Sequence, residues 1–362
     1  MDKKNIVMAG GGTGGHVFPI RSLIQTALSL PEYNNNIENI YRFGGKGSLE
    51  EQVAREFGGT VKFRTIYNGK WRRESGIWTI LRNLFDGFRL IIGIIQNFFL
   101  LQIYHIDSVF CKGGYVALPV VIAAKILSKK IVIHESDTHP GLVNRIASKW
   151  SDDIFMGFDG VFKQGKVVGQ ILSDDLIDPS FDYDKIPDQK KTKPTIFITG
   201  GSQGAKTLYQ TLANILDKNS NITEGFDIII SLGKLNEDLK IIFNDKNIKI
   251  FDFLDQASIG KIYQKSDLCL TRGGTTSLAE QKLFGVKSII VPLPQTHDQT
   301  DNARYFVEKY QDIMLDQRST SFQSQLEECL IQHLHRHKHS FHQNPLKQIQ
   351  ETKKLILNAI LY

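Results

Sequence analysis

The residues best equipped for chemistry sit in one run, Gly10-Gly-Gly-Thr-Gly-Gly-His-Val-Phe-Pro19. His16 is the one side chain in it that titrates near neutral pH. Residues 6–9 are apolar and read as a short buried strand, and a helical pattern follows over 17–30. A strand that empties through glycines into a helix N-terminus gathers backbone N–H groups around bound oxygen atoms. A second strand–glycine–helix unit spans 195–216, and a third glycine turn, Arg272-Gly-Gly274, leads into a helix carrying Glu280. Two other sets of residues are weaker. Asp182-Tyr-Asp184 matches a metal-holding pattern of some transferases, but it lies in the polar, proline-flanked stretch 179–194, which reads as a linker. His333, His335, His337, His339 and His342 offer i, i+4 pairs with no acidic or cysteine partner nearby, as a solvated basic helix would.

Elimination narrows the chemistry. Gly10, Gly12 and Gly15 form a literal G-x-G-x-x-G, yet the acidic residue that would hold a dinucleotide ribose is missing from Tyr41-Arg-Phe-Gly-Gly45, which disfavours hydride transfer. No P-loop is present. What remains is a nucleotide diphosphate held by glycine turns and helix N-termini, with His16 and Glu280 as the best-placed ionisable groups. In transfer from a nucleotide sugar, positive helix ends stabilise the departing diphosphate and a base takes the proton of the attacking hydroxyl.

The elements that must position these groups follow from length and pattern. A chain of 362 residues is too long for one ordinary core, so two domains are expected. Hydrophobic residues at 41% and charged ones at 23% are those of a soluble globular protein. A net charge of +6 suits an anionic nucleotide or a membrane surface and does not call for nucleic acid. Cys111, Cys269 and Cys329 are odd in number and widely spaced, against a disulfide framework and for a reducing compartment. The N-terminus runs directly into the first strand, with no expected signal peptide.

In the first half, strands are expected at 40–43, 61–66, 108–111 and 131–134. Ser48 should cap a helix with Glu51 reaching back. Loops after three strand ends, at 10–15, 112–115 and 135–144, should converge on one crevice. Residues 68–104 stand apart. A basic loop carrying Trp71 precedes a helix with Trp78, Phe85 and Phe88 at helical spacing, a composition open to membrane contact or to ordinary packing. The later part, 90–104, is expected to be a buried amphipathic helix, too short to span a bilayer. In the second half, strands at 195–199, 227–232, 248–251, 268–271 and 288–291 alternate with helices. That pattern predicts an α/β, doubly wound parallel sheet in each half.

Five motifs then occur in order: Gly11-Gly-Thr-Gly-Gly-His-Val-Phe-Pro19, Lys112-Gly-Gly-Tyr-Val116, His134-Glu-Ser-Asp137 with Pro140-Gly-Leu142 and Asn144, Gly200-Gly-Ser-Gln-Gly-Ala205, and Arg272-Gly-Gly274 with Glu280. Together they resemble the MurG family of peptidoglycan glycosyltransferases over essentially the whole chain. The resemblance implies a GT-B fold of two Rossmann-like domains: 1–168 with a returning helix 343–362, and 169–342. It implies inverting transfer of GlcNAc from UDP-GlcNAc to the MurNAc 4-hydroxyl of lipid I, giving lipid II, at the cytoplasmic face of the membrane, with no metal or other cofactor.

By the same resemblance, Ser202, Gln203 and Gly204 face the donor diphosphate and Leu254 the uracil. Arg272, Gly274, Thr275, Thr276 and Ser277 form a helix start at the donor. Glu280 holds the ribose, and Gln299 and Asn302 lie towards the GlcNAc. Thr13, Gly14, Gly15 and Asp137 approach the donor from the other domain. Gly12, Thr13, Gly14, Gly113, Gly114, Tyr115 and Asn144 face the acceptor, with His16 as general base. Lys70, Trp71, Arg72, Arg73, Trp78 and Phe85 would touch the membrane. Two departures stand out. Gly169-Gln-Ile-Leu-Ser173 replaces a Gly-Asn-Pro-Val-Arg stretch, removing an arginine that helps hold the nucleotide, a loss that weakens donor affinity unless Arg272 substitutes. Asp137 replaces an asparagine. A related transferase with another lipid acceptor, and a nucleotide-sugar-binding protein without turnover, remain as alternatives.

Overall fold

The computed structural model describes residues 2–70, 72, 76–178, 193–201, 204–233, 236–243, 248–294, 297–333 and 344–362. The expected linker with Asp182 and Asp184, the site residues Trp71, Arg73, Ser202 and Gln203, and four of the tail histidines lie outside them. The chain divides into two compact units, Met1–Ser173 with Ile349–Tyr362, and Asp174–Gln348.

Unit 1 is built on seven parallel strands: β1 (Lys4–Ala9), β2 (Ile37–Gly44), β3 (Val61–Thr65), β4 (Ser108–Cys111), β5 (Lys130–Glu135), β6 (Asp153–Met156) and β7 (Lys166–Val167). Their spatial order is β3-β2-β1-β4-β5-β6-β7. β6 and β7 were not expected. They are short, β7 has only two residues, and no helix separates them, so neither period nor alternation marks them. Unit 2 repeats the plan with β8 (Thr195–Thr199), β9 (Asp227–Ser231), β10 (Ile248–Phe251), β11 (Leu268–Thr271), β12 (Lys287–Ile290) and β13 (Ile313–Met314), in the order β10-β9-β8-β11-β12-β13. In each sheet the chain starts at the centre and reverses direction, between β1 and β4 and between β8 and β11. A crevice opens at the carboxyl ends of the strands at such a switch point.

The helices are α1 (Gly14–Ser29), α2 (Pro31–Asn34), α3 (Leu49–Arg55), α4 (Ile77–Ile103), α5 (Leu118–Ile126), α6 (Leu142–Ala147), α7 (Lys206–Lys218), α8 (Ser220–Gly225), α9 (Gln256–Lys265), α10 (Thr275–Leu283), α11 (His297–Tyr310), α12 (Phe322–Gln332) and α13 (Pro345–Leu361). Alternation along β1 sends Ile6 and Met8 to one face of the sheet and Val7 and Ala9 to the other, each into its own core. Ile356, Leu357 and Ile360 of α13 complete the first core. Thr352 Oγ1 donates to the Val168 carbonyl at 2.6 Å, and the buried Lys353 ammonium reaches Ser22 Oγ at 3.2 Å.

The helix α4 departs from expectation. It is one helix of 27 residues, long and apolar enough to cross a membrane by length and composition alone. Its later half is not buried: Ile91, Ile95, Phe99 and Ile103 are all more than half exposed, continuing the row begun by Trp78 (74%) and Phe85. The expectation fails because the helix is turned the reverse of the usual way, with its polar and small side inwards and its apolar side exposed. A narrow stripe of Asp86, Gly93, Asn97 and Leu101 is what docks. Residues 65–70 and Arg72 run along it as a strap. Gln96 pairs with both Thr65 and Tyr67 backbones, and Asn83 pairs twice with Arg72. The Arg72 guanidinium is paired with Asp86.

Candidate functional site

In unit 1 the turn from β1 into α1 is built against two other strand ends. Gly11 N–H donates to the Gly113 carbonyl at 3.4 Å, and Lys112 N–H donates to Ala9 at 2.8 Å. A Cβ on Gly114 would lie 2.2 Å from the Gly11 carbonyl oxygen, and φ there is +81°, so only glycine fits. The Tyr115 ring lies over Gly12, whose missing Cβ would sit 2.6 Å from it. The first and second loops thus interlock through Gly12, Gly113, Gly114 and Tyr115.

Below this turn lie charges the sequence reading passed over. Glu50, 2% exposed, accepts Gly12 N–H at 2.6 Å. The fully buried Arg42 guanidinium donates to the Met8 carbonyl at 2.7 Å and the Gly10 carbonyl at 3.1 Å. Burial pulls the Arg42 pKa down to about 10 and Glu50 opposes that pull. The capping pattern is formed as expected: Ser48 Oγ accepts Glu51 N–H at 3.4 Å, and Glu51 reaches back to accept Gly47 N–H at 2.6 Å. A second acidic residue beside a capping glutamate was the available signal.

At the N-terminus of α1, Thr13 occupies the cap position and no acidic side chain follows in the first turn. The amides of Gly14 and Gly15 therefore face outwards as an anion site. His16 lies against Gly113 and Gly114. Its Nδ1 is covered and has no partner among the described residues. Burial first, and the Lys112 charge second, hold its pKa at about 4, so the ring is neutral at pH 7.

The third loop hangs on Glu135. Its carboxylate accepts the Ser136 and Asp137 N–H groups at 2.7 and 3.0 Å, and the Gly141 N–H and Asn144 amide, both at 3.0 Å. Asn144 also donates to the His134 carbonyl at 3.2 Å, so this buried amide clamps the end of β5. The buried Lys112 ammonium bonds Ser136. The departing stretch 169–173 is tied to the same strand end: His134 Nε2 meets the Gly169 carbonyl at 2.9 Å, and Gln170 donates to Ser136 at 2.7 Å.

Unit 2 holds its turns with neutral groups. Tyr209 Oη accepts Gly200 N–H and donates to the Ser231 carbonyl, each at 2.8 Å. A Cβ on Gly204 would lie 2.0 Å from the Leu232 carbonyl oxygen. After β11, Gly274 caps α10 without a side-chain bond and with no acidic residue in the first turn. The outward amides of Thr275, Thr276 and Ser277 form a second anion site. Gln299 Oε1 accepts from Gly273 and Leu293 N–H at 3.2 and 3.1 Å, and its Nε2 has no partner among the described residues. Arg272 is anchored to the Val291 carbonyl at 3.0 Å and to Gln317 at 2.6 Å, with only Nε unpartnered. Glu280, 4% exposed, hydrogen-bonds Tyr263, and burial pushes its pKa up to about 8. Leu254 and Asn302 are buried.

Two anion-ready helix ends, one in each doubly wound half, define a two-domain nucleotide-sugar transferase of the GT-B type. The glycosyltransferase family 28 N-terminal domain matches residues 6–156, and the family 28 C-terminal domain matches 195–360. A UDP-N-acetylglucosamine--N-acetylmuramyl-(pentapeptide) pyrophosphoryl-undecaprenol N-acetylglucosamine transferase of Borrelia hermsii is 32% identical over 369 residues, covering 99% of this chain and 97% of its own. The protein of that name from Borreliella burgdorferi is 33% identical over 324 residues, covering 87% and 84%. The crystal structure of Acinetobacter baumannii MurG superposes with a TM-score of 0.75 at 22% identity, covering 99% of each chain. The chain belongs to the MurG family of glycosyltransferases.

Proposed function

We propose that this protein transfers GlcNAc from UDP-GlcNAc to the MurNAc 4-hydroxyl of lipid I, forming lipid II. The observation that carries this is full-length similarity to transferases of that name, joined to an open helix N-terminus in each unit. The hydroxyl oxygen attacks the anomeric carbon of GlcNAc while that carbon's bond to the UDP oxygen breaks, with inversion. The negative charge growing on UDP falls at the α10 N-terminus, whose amides need no reorganisation to receive it. His16 is neutral and takes the hydroxyl proton on Nδ1, which has no partner among the described residues. The Glu280 carboxyl, largely protonated at neutral pH, can both donate to and accept from ribose hydroxyls. Arg272 does not stand free to replace the arginine lost at Ser173, because two bonds anchor it within its own unit.

We also infer attachment to the cytoplasmic face of the membrane through α4. Its exposed row is apolar along the whole helix, with Lys70 and Arg82 exposed beside it. The buried stripe and the strap hold the opposite side, which favours lying in the interface over spanning it.

The test is UDP release from UDP-GlcNAc with a lipid I analogue, comparing the native chain with His16→Ala. Acceptor-dependent release that falls by about 100-fold or more in the variant is expected. Undiminished release in the variant removes His16 as base, and no release from the native chain removes the transferase.

A further inference from the structure

A cavity of about 660 Å³ opens in unit 1 beside the glycine turn, within the usual range of ligand pockets, about 300–1,000 Å³. Glu50 and Tyr115, the two side chains that touch Gly12, form its inner wall. Lys46, Ser48, Tyr67 of the strap and Arg89 of α4 line it as well. Arg89 is half-buried with its guanidinium 6.0 Å from the Phe85 ring, and it makes no ion pair among the described residues. Lys46 likewise makes none. The one acidic side chain on the wall, Glu50, is already bonded to Gly12 and offset by Arg42.

A partly desolvated guanidinium without a counter-ion is costly unless a ligand supplies the anion. From this geometry we propose that the cavity receives the peptide arm of the acceptor, with a peptide carboxylate on Arg89 and Lys46. The assignment rests on the function proposed above, in which the acceptor sugar carries a peptide. The acceptor diphosphate is the other source of anionic charge. It would have to lie across Glu50, whose carboxylate repels a multiply charged group more than a single carboxylate, whereas the α1 amides beyond it are open.

The experiment measures acceptor KM for two lipid-linked MurNAc diphosphates, one with the peptide and one without. The native chain is expected to show a KM about tenfold lower for the peptide-bearing acceptor, the size of one charge-assisted contact. In Arg89→Gln that ratio should fall to near one, and Arg89→Lys should restore part of it. Donor KM and the thermal midpoint, read alongside, identify a variant that has merely lost its fold. A KM raised equally for both acceptors places the diphosphate in the cavity and overturns the peptide assignment. A native ratio near one, or a ratio that Arg89→Gln leaves intact, overturns it as well. Native transfer to neither acceptor instead overturns the proposed function, and this inference with it.

Discussion

The two halves share a strand order and a strand–glycine–helix turn, yet they hold that turn by different physics. In unit 1, Gly12 and Gly10 rest on a buried carboxylate and a buried guanidinium, and Lys112 is buried beside them. In unit 2, Gly200 rests on a phenol, and Gly204 packs on a carbonyl and the Asn236 amide. Buried charges are held only where partners fix them, so the first turn is stiffly specified and electrically active, while the second is a neutral cradle. One fold thus secures the same turn by charge in the first unit and by neutral groups in the second.

The comparison breaks most readily at α4. Phe85→Gln with Phe99→Gln should lower partition onto anionic lipid vesicles by on the order of 1,000-fold, since each replacement removes about 2 kcal/mol of apolar transfer. The same change at the exposed Ile241 and Phe253 of unit 2 should leave partition unaltered. Equal losses from both units would erase the asymmetry.

Next in size are the two turns. Glu50→Ala leaves Gly12 N–H and Arg42 without their buried partner, and should lower stability by on the order of 3 kcal/mol. Tyr209→Phe removes two neutral bonds and should lower it by about 1–2 kcal/mol. Thermal unfolding of the full chain ranks them, and a larger loss in Tyr209→Phe would contradict the contrast drawn here.

A further difference is in pH dependence. The Glu280 carboxyl is raised from 4.5 to about 8 in the folded state, so its contribution is fully present below about pH 4.5 and is lost as pH rises through 8. Glu280→Gln should flatten the fall in thermal midpoint between those values. An unchanged slope would mean that the carboxyl ionises freely.

The parallel halves, the glycine turns and their order were legible because Gly, apolar runs and helix starts are local signals. Glu50 was not, because its partner Gly12 lies 38 positions away and becomes a neighbour only when β2 pairs with β1. Nor could spacing show that Asn144 and Glu135 hold the third loop together. The face of α4 was hidden for another reason: its contrast is clear, but it is the polar side that docks and the apolar side that is left exposed.

The returning helix α13 bears on how the protein is made. Its Ile356, Leu357 and Ile360 close a core whose other members, Ile6, Ile20 and Leu23, leave the ribosome first. The intervening unit, 174–348, can fold as it emerges, whereas the first cannot close until residues 349–362 are released. Until then the face of the sheet that carries Ile6 and Met8 lacks the cover of α13, while α4 docks on the opposite face. The nascent chain is thus stickiest at its oldest part, and truncation within the last turns of α13 would leave it so.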